Sequence, residues 1–165
     1  MKKWILYPIV GLLGILAIAY LVGLTRNPEL HTEVSIEIAR PPEAIYPLIA
    51  DPNQIPKYYP GVEKVEILQQ NPLRFRLTTK AGTGGMEITT AEAPRRIVSK
   101  SIDQPLGVSG VWDTTIIPTS TGSRIEHRSI VQLRNPLMRS FAMLMDAKAE
   151  ELKVLEAIKR YAESH

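Results

Sequence analysis

Hydrophobic and polar positions divide the chain into two stretches of different character. From Trp4 to Leu24 the sequence WILYPIVGLLGILAIAYLVGL runs for 21 residues without a charge. As a helix it would be about 31 Å long, close to the ~30 Å hydrocarbon core of a bilayer. Trp4, Tyr7 and Tyr20 stand near its ends, where amphipathic rings favour the headgroup region. Pro8, Gly11, Gly14 and Gly23 interrupt it, and such residues are tolerated in lipid better than in water. Two readings are open: an uncleaved signal anchor, or a signal peptide cleaved after the small-x-small site Ala17-Ile18-Ala19. The apolar run continues through Tyr20-Leu21-Val22-Gly23-Leu24, past that site, which favours the anchor. Lys2, Lys3 and the α-amine precede the run and Arg26 alone follows it. The positive-inside rule then sets the N-terminus in the cytoplasm and residues 27–165 outside it.

After the polar hinge Thr25–Leu30 the period changes. Val34, Ile36 and Ile38 alternate with Glu33, Ser35 and Glu37, a strand with one buried face. Pro42 opens a helix carrying Ile45, Leu48 and Ile49 through Ala50, with Pro47 expected to kink or shorten it. Gln54–Tyr59 forms a second short helix ending at Pro60-Gly61. A meander of six strands is predicted next: Val62–Gln69, Leu73–Lys80, Gly85–Ala93, Arg96–Asp103, Val108–Ile117 and Arg124–Leu133. The breaks between them are turn chemistry at regular spacing: Asn71-Pro72, Gly82-Thr83-Gly84, Ala93-Pro94, Gln104-Pro105-Leu106-Gly107 and Pro118–Gly122. Asn135-Pro136 then opens one long helix to about Ala162. Leu137, Phe141, Leu144, Lys148, Leu152, Leu155 and Ile158 mark its inner stripe, and Glu150, Glu151, Lys153, Glu156, Lys159 and Arg160 its wet side. The organisation expected is an anchor at 1–26, a linker at 27–31 and a domain at 32–165.

This order of elements, with the segment Ile38-Ala39-Arg40-Pro41-Pro42-Glu43-Ala44-Ile45-Tyr46-Pro47-Leu48-Ile49-Ala50-Asp51-Pro52, resembles the SRPBCC superfamily of START-like, helix-grip proteins. Tyr58-Tyr59-Pro60-Gly61-Val62, the Trp112 strand with Ile117-Pro118, and Gly122-Ser123-Arg124-Ile125-Glu126-His127 add to the likeness. Within that superfamily the sequence looks like the polyketide cyclase/dehydrase and lipid-transport group. The resemblance implies an α+β domain: a curved antiparallel sheet of about seven strands around a long C-terminal helix, enclosing an apolar cavity. These motifs are signatures of a fold and name no catalytic residue.

Composition narrows the chemistry. With 165 residues the chain suits one domain plus an appendage, and 44% hydrophobic with 22% charged residues excludes a disordered chain. Cysteine is absent, which excludes disulfides, thiolate metal sites and thiol nucleophiles. The net charge of +3 comes from Lys2, Lys3 and Arg26; residues 27–165 carry 17 cations against 17 anions. A nucleic-acid partner, which wants clustered cations on the folded part, is therefore not expected. His31, His127 and His165 are not at metal-ligand spacing, and no phosphate-binding or nucleophile-elbow motif occurs, so no metal or cofactor is expected. Gly82-Thr83-Gly84-Gly85 lies between two strands and reads as a turn.

His127 shares a strand face with Ile125, Ser129, Val131 and Leu133 and so looks toward the apolar side. It is either a satisfied interior histidine or a cavity imidazole able to bond a ligand or move a proton. Trp112 shares its face with Gly110, Thr114 and Ile116. Met138, Phe141 and Met145 start the last helix, where thioethers suit an adaptable wall, and Tyr58 sits near a cavity mouth. Trp112, His127, Met138, Phe141, Met145 and Tyr58 are the expected ligand-binding set. The leading expectation is a membrane-anchored binding module for a lipid or other small hydrophobic molecule. The alternative is a cyclase/dehydratase-type enzyme on a hydrophobic carbonyl substrate with His127 as acid/base, and a third is an adaptor for a protein partner.

Overall fold

The computed structural model describes residues 3–59, 61–80, 82–103 and 105–165. Lys2, Pro60 and Gln104, used above for the orientation and two turns, lie outside the described residues. Helix α1 spans Lys3–Leu24, unbroken at Pro8. Strand β1 begins at Glu29, so the connection is shorter than the hinge and linker expected: Leu30 and His31 already belong to the sheet. Helix α2 (Pro42–Ala50) starts on Pro42, where a missing N–H costs nothing, and runs through Pro47 to close with the Asp51 N–H on the Pro47 carbonyl. A 3-10 turn at Pro52–Gln54 and the single turn α3 (Ile55–Tyr58) follow.

Strands β2 (Val62–Gln70), β3 (Leu73–Thr79), β4 (Gly82–Glu92), β5 (Arg96–Ser101), β6 (Val108–Thr119) and β7 (Gly122–Leu133) complete a seven-stranded antiparallel sheet in the order β1-β7-β6-β5-β4-β3-β2. The six strands of the meander fall where alternation and turn residues put them. Glycines 82 and 84 are a correction: they pair with Thr79 and Leu77 inside the β3–β4 ladder, and the turn comes earlier. Register shifts at Val62/Lys64 and Ile67/Gln69 on β2 and at Ile88/Thr90 on β4 insert extra residues, which bends and twists a sheet.

The expected single C-terminal helix is two. Helix α4 (Pro136–Ala142) is capped by the Asn135 side chain and ends in turns at Leu144 and Met145. Helix α5 (Ala147–Ser164) restarts with the Asp146 carboxylate accepting from the Ala149 N–H. Their partners differ. Helix α5 lies in the concave side of the sheet, its far end fixed where Ala39 N–H donates to Glu163 and the Arg40 side chain to the Ala162 carbonyl. Helix α4 packs on α1.

The convex face carries cross-strand ion pairs: Arg124–Glu37, Arg128–Glu33, Arg96–Asp113, and Glu87 between Arg74 and Lys100. Lys100 first and Arg74 second hold the Glu87 carboxyl below its ordinary range, and Arg96 does the same for Asp113. Arg74 is thus engaged in the sheet's own ion pairs.

The solid core gathers at the end of the domain away from α1. Ile38, Ile45, Ile116, Ile125, Leu155 and Ile158 are each 3% exposed or less there. Toward α1 the concave face changes. Along β7 the inward positions run Ile125, His127, Ser129, Val131, and opposite them β6 sets Ile116, Thr114, Trp112 and Gly110.

Candidate functional site

Small and polar residues replace branched apolar ones midway along β6 and β7, so the interior is not filled there. A cavity of about 270 Å³ lies between the sheet and α5, walled mostly by apolar side chains that include Tyr58, Phe75, Ile88 and Val154. Met86 and Trp112 line it and also line a more open groove of about 700 Å³ at the end nearer α1. The Trp112 ring lies over Gly110, where a Cβ would sit only 2.6 Å from it; glycine is what lets the indole fold down. Gly82 and Gly84 line the groove with nothing within 4 Å of where a Cβ would stand, so two missing side chains widen it.

Polar groups meet on one part of the cavity wall. His127 Nδ1 and the Thr114 hydroxyl are 2.8 Å apart. The Ser129 hydroxyl donates to the Glu151 carboxylate, and the other carboxylate oxygen, Oε2, is buried without a partner. Burial pushes the His127 imidazole below its ordinary 6.5, against the opposing pull of the Glu151 and Asp113 carboxylates. Burial likewise pushes the Tyr58 phenol up. A neutral imidazole has one donor and one acceptor nitrogen, and a lone carboxylate oxygen accepts. Together they can hold a hydroxyl, amine or carbonyl at the polar end of an otherwise apolar guest. Among the described residues no group of three or more acidic or imidazole side chains is placed to bind a metal.

Of the residues singled out by sequence, Tyr58, Trp112 and His127 line the cavity. Met138, Phe141 and Met145 line neither space, because the chain breaks before α5 and α4 turns to α1. Glu151, read as part of the wet side, faces the cavity. The signal for it was present: Glu151, Leu155, Ile158 and Ala162 keep a four-three-four spacing within α5 alone.

A strongly curved antiparallel sheet gripping one helix, hollow between, is the helix-grip arrangement of the START-like SRPBCC superfamily. The chain belongs to the family described as polyketide cyclase / dehydrase and lipid transport, whose model matches residues 29–163 and leaves α1 outside. No curated protein matches the sequence. Among solved structures, norcoclaurine synthase from Thalictrum flavum, in complex with dopamine and hydroxybenzaldehyde, aligns at TM-score 0.67 and 14% identity over 88% of this chain and 92% of that one. The di-domain ARO/CYC StfQ of the steffimycin biosynthetic pathway aligns at TM-score 0.67 and 17% identity, over 82% of this chain and 52% of that one. Protein MLL2253 from Mesorhizobium loti aligns at 0.61 and 18%, over 79% and 95%. At these identities the likeness is one of fold.

Proposed function

We propose that this protein is a membrane-anchored binding module that holds a lipid or another small apolar molecule beneath α5. The observation that supports it is the apolar cavity, which shares Met86 and Trp112 with the wider groove. Such concave, mostly apolar spaces with a few convergent polar groups are where small ligands bind. The guest's apolar body lies along the β3–β6 wall, and its polar end takes the free acceptor of Glu151 beside His127. Helix α1 is apolar enough over Tyr7–Leu24 to cross a membrane and is almost wholly unburied by the rest of the chain, as a lipid-facing segment would be. The cation bias around α1 supports a cytoplasmic N-terminus with the domain on the other side. The test is to purify the full chain from its host membrane in mild detergent and run native mass spectrometry with solvent extraction. A bound apolar species released on denaturation is expected; a consistently empty protein overturns the reading.

One observation favours a second reading, a cyclase/dehydratase-type enzyme. Two titratable groups, His127 and Glu151, face one cavity, and acid–base work on a bound carbonyl needs such a pair. The fold likeness to an aromatase/cyclase points the same way. Turnover of a hydrophobic carbonyl substrate that survives both His127→Ala and Glu151→Gln removes this assignment.

A further inference from the structure

One feature of the molecule is used by neither the cavity nor the sheet. Phe141, Met143, Leu144 and Met145 are 48%, 52%, 84% and 64% exposed, four large apolar side chains bare within five residues. Soluble surfaces rarely collect such a patch without a partner. What covers it follows from how α4 meets α1. Pro136 closes on Gly23, where a Cβ would strike the Pro136 carbonyl, so glycine permits the approach. The Arg139 side chain reaches the Gly23 carbonyl, and the Ser140 hydroxyl donates to the Ala19 carbonyl. As α4 numbering rises, α1 numbering falls: the two helices run antiparallel, and α4 leads back along α1, away from the domain. Seven helical residues cover about 10 Å. The chain between α4 and α5 therefore lies level with the apolar part of α1 at or before Ala19, well inside the stretch from Tyr7 to Leu24. No charge occurs between Arg139 and Asp146, while Arg26 follows the last turn of α1 and the Arg139 side chain reaches the Gly23 and Arg134 carbonyls there, the level at which cations meet lipid phosphates.

We propose that Phe141–Met145 is a second membrane contact, immersed in the acyl-chain region of the same leaflet that receives the C-terminal end of α1. This rests on the reading of α1 as a membrane span. It goes beyond anchoring, because it fixes the tilt of the domain. The groove is lined by Leu106, Val108 and Val131 from the sheet end next to the α1 junction, and Leu106 is itself 68% exposed. Two points of attachment hold that end down, so the groove opens at the bilayer surface and its cargo passes between lipid and protein without crossing water.

The chain lacks cysteine, so single cysteines report one site each. Leu144→Cys, Ile18→Cys and Ser120→Cys are made in the full chain, labelled with an environment-sensitive fluorophore, and reconstituted into phosphatidylcholine–phosphatidylglycerol vesicles with or without acyl-chain nitroxide lipid. Ile18 reports α1, and Ser120 the exposed β6–β7 turn at the far end. The expected result is blue-shifted emission at Leu144 and Ile18, both largely quenched by the nitroxide, with Ser120 unaffected. Aqueous emission at Leu144 with Ile18 quenched overturns this proposal and leaves the anchor standing. Aqueous emission at both overturns the anchor and the proposal together. Emission at Leu144 that is blue-shifted yet insensitive to the nitroxide means that protein, such as a second copy, covers the patch, and also overturns it.

Discussion

The two ends of the interior are built on the same strands, with the same alternation and register, and differ only in what the inward positions carry. At the end away from α1, Ile116 faces Ile125 across β6 and β7, with Ile38, Ile45 and Ile158 closing the space. At the near end the same two strands offer Trp112 opposite Ser129 and Gly110 opposite Val131, and β4 offers Gly82 and Gly84. One end is solid and supplies stability; the other is hollow and supplies room. Fold and binding space are thus separable along the strand direction, so substitutions at the two ends should act differently.

The largest effect belongs to the solid end. Ile125→Ala removes a fully buried branched side chain and is expected to cost about 3 kcal/mol, read by urea unfolding of the chain in detergent. A loss below about 1 kcal/mol would mean that this end is not the core. Next comes the polar wall of the hollow end. Glu151→Leu with Ser129→Ala replaces a partly satisfied buried pair by apolar groups, and is expected to raise stability by about 1 kcal/mol while loosening the retained ligand. Stability that falls together with ligand retention would make this pair structural.

The pH response is smaller and has a definite sign. Burial holds the folded-state His127 below 6.5, so above that pH neither folded nor unfolded chain is charged there. As pH falls below 6.5 the unfolded chain takes the proton first, and stability drops by at most about 1.4 kcal/mol per unit until the folded imidazole also protonates. His127→Gln should flatten the loss just below pH 6.5, measured as the shift of the urea midpoint. The salt-bridged Glu87 and Asp113 respond with the same sign in a lower window, their contribution present above about pH 4 and lost below it, so the windows separate. The smallest stability effect is the most diagnostic of room: Gly84→Leu adds a side chain into open space and should shift stability by under about 0.5 kcal/mol, yet lower the amount of apolar ligand that co-purifies.

Sequence made the sheet readable because each turn carried its own chemistry and each strand its own alternation. It did not make the cavity wall readable to the same degree. His127, Trp112 and Tyr58 followed from strand parity and position. Glu151 did not, because a charged residue next to Leu152 reads as part of the wet side. Its spacing of four to Leu155 and seven to Ile158 nevertheless sets it on their inner face, whatever precedes Asp146. Reading one rod also set Met138, Phe141 and Met145 beside the cavity, whereas α4 turns to α1: an apolar stripe shows that a face is covered, not by what. The groove escaped notice for a simpler reason. Gly82 and Gly84 read as a turn from composition, and only pairing reveals that they stand inside a ladder.

The short connection between the first helix and the first strand limits how the module can work. Four residues, Thr25–Pro28, reach about 13 Å at full extension. With α1 set in a bilayer as proposed, the domain cannot swing across an aqueous gap as a shuttle would. It is a fixed berth, and whatever it holds must be brought by lateral diffusion or by a carrier that comes to it.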